Sequence, residues 1–69
     1  MITISTGVKL TLKAARVNVD LTQEEVAERM GVNVKTMQQW ENGRTFPNVK
    51  QAKKLANIYG ISIDDFTFF

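Results

Sequence analysis

Apolar residues recur along this chain at intervals of three and four positions, the spacing that places side chains on one face of an α-helix. The pattern is interrupted by residues that end or redirect helices, namely Gly7, Gly31, Gly43, Pro47 and Gly60. Only the first residues differ, since Ile2 and Ile4 alternate with polar neighbours, as in a short strand or a loose arm. The pattern therefore predicts an all-α protein, a compact bundle of four to five short helices over residues 9–69, after an N-terminal arm of residues 1–8.

The first helix is predicted over about residues 9–17, with Leu12 and Ala15 facing the core. Three basic residues are expected around its rim: Lys9, Lys13 and Arg16. Its start is poorly marked, because Thr11 competes as N-cap with residues near Gly7.

The second helix has a clear start, because Thr22 followed three residues later by Glu25 is a capping box. Its core-facing stripe is expected to be Val26, Ala27 and Met30. Gly31 should end it, since glycine readily adopts the left-handed conformation found after helices.

A third helix is predicted from Val34 to about Asn42, with Asn33 as its N-cap and with Met37 and Trp40 as its buried edge. Only the segment Gly31-Val32-Asn33 separates it from the second helix. So short a link favours a steep crossing, which is the geometry of a helix-turn-helix, although short turns also join ordinary helical hairpins.

A fourth helix should begin after Asn48 and end at Gly60, with one apolar stripe: Val49, Ala52, Leu55, Ala56 and Tyr59. After it, Ser62 can cap one more short turn, with Phe66 packing inward.

The face of the third helix opposite its buried edge is a polar stripe without a carboxylate: Lys35, Gln38, Gln39 and Asn42. Glutamine can form a bidentate pair with adenine and lysine can donate to guanine, while Val34 and Thr36 in the first turn could contact a thymine methyl. The stripe thus suggests a surface that reads base edges. The alternative is an ordinary solvated helix face.

Charge is distributed unevenly, although the net charge is only +2. Residues 35–54 carry five basic residues against Glu41 alone, whereas residues 20–28 carry four acidic residues and no basic one. This distribution favours one basic face, with solvated helix surfaces as the alternative.

Length and composition exclude several classes of protein, among them disulfide-rich and membrane-spanning ones. A chain of 69 residues without cysteine is one small domain held by helix packing, with no disulfide framework. No apolar run approaches the roughly 20 residues that span a bilayer, and the first residues do not resemble a signal peptide. We therefore expect a cytoplasmic protein with no membrane partner.

An enzyme is not expected, because the chain has no histidine and no cysteine. The neighbouring carboxylates Asp64 and Asp65 would point in different directions on a helical turn. No group of ligands suggests a metal, and no cofactor is expected.

The stretch from about Leu12 to Phe66 resembles the lambda-repressor-like, Cro/CI (XRE) helix-turn-helix family. The resemblance is carried by "LTQEEVAERMGV", by "WENG" followed by a basic residue, and by "P…LAN…GIS". No piece is diagnostic alone, but their order and spacing together are specific.

The resemblance implies roles for residues of this chain. It implies base contacts from Val34, Lys35, Thr36, Gln38 and Gln39. It implies phosphate contacts from Gln23, Asn33, Asn42, Arg44 and Thr45. It also implies a partly buried ion pair between Arg16 and Glu41.

Two hypotheses about function follow. The first is a sequence-specific regulator that binds double-stranded DNA, expected to be a repressor acting as a homodimer on a pseudo-palindromic operator and therefore associated with the nucleoid. Its candidate dimer surfaces are the loop of residues 44–48 and an aromatic tail: Phe66, Phe68 and Phe69. The second is a protein-interaction module of the same fold, either antitoxin-like or antirepressor-like, or a fragment of a larger regulator.

Overall fold

The fold is described here for residues 9–66, from a computed structural model. Four α-helices follow one another along the chain: α1 (Leu12–Asn18), α2 (Gln23–Met30), α3 (Val34–Glu41) and α4 (Val49–Tyr59). A 3₁₀ turn, Ile63–Asp65, comes last. The predicted all-α fold class is confirmed, whereas the expected arm of residues 1–8 lies outside the described residues.

Each α-helix begins at a polar residue whose side chain caps it. Thr11, Thr22, Asn33 and Asn48 each accept a hydrogen bond from the backbone N–H three residues later. The caps of α2, α3 and α4 are those that the sequence predicted. A cap satisfies one of the backbone donors that the first helical turn leaves without a partner.

The predicted start of α1 at residue 9 is wrong, because Thr11 caps the helix and Leu12 is its first residue. The two preceding residues contact the other end of the domain instead. The Leu10 N–H donates to the Asp65 carbonyl at 2.7 Å, and Leu10 forms an isolated parallel β-bridge with Phe66. The Lys9 ammonium donates to the Asp64 carbonyl.

The helices end in one common way. A residue with positive φ follows each of them, and the next N–H donates back to a carbonyl five residues earlier, as from Val32 to Ala27. The residues with positive φ are Asp20, Gly31, Gly43 and Gly60. Three of the four are glycines, which have no Cβ to oppose this conformation.

The core lies where all four helices meet, and Val26, Met37 and Leu55 are its most deeply buried large side chains. The apolar stripes predicted for α2 and α3 are buried, and so are four of the five stripe residues of α4: Ala52, Leu55, Ala56 and Tyr59. The prediction is wrong at Val49, the first residue of α4, which is 68% exposed. Phe66 packs inward as predicted, against the ring of Tyr59.

Among residues 9–66, no helix combines the length and the apolar character needed to cross a membrane.

Candidate DNA interface

The side of α3 that faces solvent carries polar side chains. Met37 and Trp40 are buried and anchor the helix in the core. On the other side, Lys35 and Gln38 are exposed and Gln39 is half-buried. Since the helix is only eight residues long, these side chains form one compact surface.

The single acidic residue of α3 does not belong to that surface. The Glu41 side chain is only 3% exposed and its carboxylate faces the interior of the domain. The solvent-facing side of α3 is therefore free of carboxylates, and the positive charges of Lys35 and Arg44 stand at the two ends of the helix. A surface of this charge is suited to a polyanion.

The first turn of α3 is fixed by its cap. The Asn33 side-chain oxygen accepts from the Thr36 N–H at 3.0 Å and from the Thr36 hydroxyl at 3.1 Å. The cap uses only the oxygen of Asn33, and its amide nitrogen is a donor that the cap does not need. Val34, by contrast, is half-buried and packs against the core. Part of its side chain is therefore taken up by the protein interior and is not available for the predicted base contact.

The loop after α3 turns back over the end of the helix. Gly43 has a φ of 75°, and the Arg44 N–H donates to the Gln39 carbonyl at 3.0 Å. The side chains of three predicted phosphate-binding residues remain exposed in this loop: Asn42, Arg44 and Thr45. They follow directly on the polar face of α3.

Behind this surface, three helices meet in a cluster formed by Arg16 of α1, Gln23 of α2 and Glu41 of α3. The Arg16 Nε donates to the Glu41 Oε2 at 2.7 Å, and its Nη2 donates to Oε1 at 3.2 Å. The Gln23 Nε2 also donates to Oε1, at 2.9 Å. The Glu41 carboxylate thus accepts hydrogen bonds from two other helices.

The expectation that Arg16 lies at the rim of α1 is wrong. Its side chain is only 12% exposed, and its Nη1 donates to the Leu21 carbonyl at 2.8 Å. The hydrogen bond with Glu41 raises the pKa of the Arg16 guanidinium above its usual value. Rim and interior are difficult to distinguish for arginine from sequence, because a long side chain can extend in either direction.

Sequence reasoning missed the contact between Gln23 and Glu41. It assigned Gln23 only to phosphate, since nothing in the spacing of residues 23 and 41 indicates that they meet. It also missed the neighbouring Tyr59 hydroxyl, which is buried and has no hydrogen-bond partner among residues 9–66. Burial, and then the Glu41 carboxylate, raise the pKa of Tyr59, while Arg16 acts in the opposite direction.

Within residues 9–66, no three acidic side chains come close enough to form a candidate metal site.

The short turn between α2 and α3, together with the exposed polar face of α3, defines a class of protein: a helix-turn-helix domain of the DNA-binding transcription regulators. A sequence profile described as helix-turn-helix matches residues 12–66, which is most of the chain. The chain belongs to the Cro/CI-type (XRE) helix-turn-helix family.

Curated relatives are named as transcription regulators. An HTH-type regulator of Methanocaldococcus jannaschii is 39% identical over 57 residues, which cover 83% of this chain and 86% of the relative. The cryptic phage CTXphi transcriptional repressor RstR of Vibrio cholerae is 40% identical over 52 residues, or 75% of this chain and 47% of RstR. The transcriptional activator BcrR of Enterococcus faecalis is 32% identical over 54 residues, or 78% of this chain.

The chain spans only 26% of the length of BcrR. No solved structure matches the chain at a significant level.

Proposed function

We propose that this chain is a sequence-specific regulator of transcription that binds double-stranded DNA, with α3 in the major groove. The observation that carries the proposal is the face of α3. It is exposed, polar and free of carboxylates, while Met37 and Trp40 hold the helix in place from behind. Side chains of this kind are those that recognise base edges.

In this proposal, two groups of residues have separate tasks. Lys35, Gln38 and Gln39 read bases, together with Val34 and Thr36 in the first turn. A second group fixes the position of the domain on the phosphates: Gln23, Asn33, Asn42, Arg44 and Thr45. Asn33 is exposed and its cap uses only the side-chain oxygen, which supports its place in the second group, because phosphate oxygens accept hydrogen bonds from donors such as an amide nitrogen.

We propose further that two copies bind a pseudo-palindromic operator, with half-sites about 34 Å apart on one side of the duplex. Of the two candidate dimer surfaces, the loop of residues 44–48 has the better support. Phe46 and Val49, at and just after this loop, are 52% and 68% exposed. Phe66 is buried in the core and is removed from the second candidate surface, and Phe68 and Phe69 lie outside the described residues.

Repression is our proposed outcome of binding, acting at the nucleoid in the cytoplasm. A bound dimer obstructs other proteins at its site without needing a further domain. The relatives include both a repressor and an activator by name, so the position of the operator relative to a promoter is the test of this part.

The proposal is tested by selecting binding sites from random duplex DNA. We expect the native chain to enrich an inverted repeat, and the variant Gln38→Ala/Gln39→Ala to enrich none. Asn18→Ala/Asn57→Ala is a matched control, since it removes two exposed amides that lie outside α3. It should enrich the native site.

Binding should also weaken steeply with salt, because each phosphate contact releases condensed counterions and log K falls by roughly 0.9 per contact per decade of salt. Failure of the native chain to enrich any sequence at low salt would contradict the proposal. The same fold would then be best explained as a protein-interaction module, antitoxin-like or antirepressor-like, or as part of a larger regulator. The small net charge of +2 and the exposed Phe46 and Val49 favour that second candidate.

A further inference from the structure

The contact between Gln23 and Glu41 joins the start of α2 to the end of α3. Glu41 is almost fully buried, and its Oε1 accepts from Gln23 at 2.9 Å. Its Oε2 accepts from Arg16 at 2.7 Å. The negative charge of Glu41 is therefore balanced by Arg16, and Gln23 approaches a neutralised pair rather than an isolated anion.

This contact fixes the orientation of the Gln23 carboxamide. A carboxylate can only accept hydrogen bonds, so the amide nitrogen of Gln23, and not its oxygen, must face Glu41. One of the two N–H groups of that nitrogen is used there, and the other remains as a donor. Gln23 is also the first residue of α2, where backbone N–H groups have no partner within the helix.

We infer that Glu41 is a positioning residue for the phosphate contact of Gln23. It holds the carboxamide in one of its two possible orientations, so that the second N–H is available to a phosphate oxygen beside the first backbone N–H groups of α2. This role lies beyond the ion pair that Glu41 forms with Arg16. It rests on the proposed function, since Gln23 must contact DNA for its orientation to matter.

A double-mutant cycle on DNA binding tests this role. Glu41→Asp keeps the charge but shortens the side chain by one methylene, so that it can no longer hold both partners. Combined with Gln23→Ala, it gives the four proteins of the cycle. Affinity is measured by fluorescence anisotropy with the operator obtained by selection, at a temperature where circular dichroism shows each variant to be folded.

We expect Glu41→Asp to weaken operator binding about fivefold in the native background and less than about twofold in the Gln23→Ala background. Glu28→Asp is the matched control, because it shortens an exposed glutamate of α2 that has no contact with Gln23. It should leave affinity unchanged in both backgrounds. An equal effect of Glu41→Asp in both backgrounds would overturn the inference, since Glu41 would then act independently of Gln23.

The failures of the two proposals are distinguishable. If the native chain binds no duplex, the proposed function itself fails. If it binds DNA but Gln23→Ala leaves affinity unchanged, DNA binding stands and the positioning role is wrong.

A measurement on the native protein covers the case in which Glu41→Asp does not fold. Hydrogen exchange of the side-chain amides, followed by NMR, should be slower at Gln23 than at the exposed Gln38, because one N–H of Gln23 is held by Glu41. Equal exchange at the two positions would overturn the inference.

Discussion

Asp20 is the one residue outside glycine that takes the left-handed conformation in residues 9–66, with a φ of 59°. It occupies, at the end of α1, the place that a glycine occupies after each of the other three helices. Aspartate tolerates this conformation better than most residues, but it still carries a Cβ that glycine lacks.

We predict that Asp20→Gly raises the free energy of unfolding by about 0.5 kcal/mol, because relief of the left-handed strain exceeds the entropy that glycine loses on folding. Urea denaturation followed by circular dichroism measures the change. Asp20→Ala is the companion variant and should lower stability, since alanine has no side-chain oxygen to support the conformation. A loss of stability on Asp20→Gly would show that the aspartate side chain contributes more than the backbone conformation costs.

At the scale of the element, α2 is defined by its two ends. The Thr22 hydroxyl accepts from the Glu25 N–H, and the Glu25 carboxylate accepts from the Thr22 N–H at 2.8 Å. The hydrogen bond from the Thr22 N–H, and after it the Thr22 side chain, favours the ionised carboxylate and lowers the pKa of Glu25 below its ordinary value of about 4.5. At the other end, Gly31 takes a left-handed conformation that ends α2, and the chain turns toward α3.

The lowered pKa of Glu25 predicts a dependence of stability on pH. Since the carboxyl group binds a proton more readily in the unfolded chain, its contribution to stability is complete above about pH 4.5 and is lost as pH falls through the folded-state pKa. In Glu25→Gln the amide oxygen can still accept from Thr22 but does not titrate. We therefore expect the free energy of unfolding of Glu25→Gln to fall less steeply with decreasing pH than that of the native protein.

The measurement is a series of urea denaturations between about pH 3 and pH 7, where the ordinary carboxyl pKa lies. Glu28→Gln is the control, since residue 28 lies one turn further along α2 and outside the capping box. Its free energy of unfolding should change with pH as steeply as that of the native protein. Identical slopes for Glu25→Gln and the native protein would mean that the capping box does not persist in solution.

At the scale of the whole molecule, the Arg16–Glu41 pair adds an ionic contact between α1 and the end of α3 to the apolar core that the two helices share. The two side chains are 12% and 3% exposed, so dissolved salt screens the attraction between their charges only weakly. Such a pair does not by itself imply high stability, because burying both charges is costly. Its consequence is that neither partner can be lost alone without leaving a buried charge.

We predict that Arg16→Met lowers the free energy of unfolding by about 3 kcal/mol, since it leaves the Glu41 carboxylate unpaired in the interior. Adding Glu41→Leu should restore a large part of the loss, because no buried charge remains. Urea denaturation in the presence of an osmolyte keeps the weaker variant measurable. A cost below about 1 kcal/mol for Arg16→Met would show that water reaches the carboxylate easily.

The sequence by itself determined the elements, and the reason is distance along the chain. The caps Thr22, Asn33 and Asn48 act on N–H groups three residues away, and the buried stripes repeat every three or four residues. Interactions of this range depend on local spacing, so the helices, the caps of α2, α3 and α4 and the polar face of α3 were predictable. The start of α1 was not, because more than one residue near it can act as a cap. The family's motifs, which span most of the chain, added the expected ion pair.

Only the tertiary structure decided which residues from distant segments meet. Gln23 and Glu41 are 18 positions apart, so their contact depends on how α2 and α3 pack, and no local spacing indicates it. Packing likewise joined Leu10 to Phe66 at the two ends of the described chain and left Val49 outside the core. Local spacing fixes which face of a helix is apolar, but the partner of a side chain on that face is set by the packing of the whole domain.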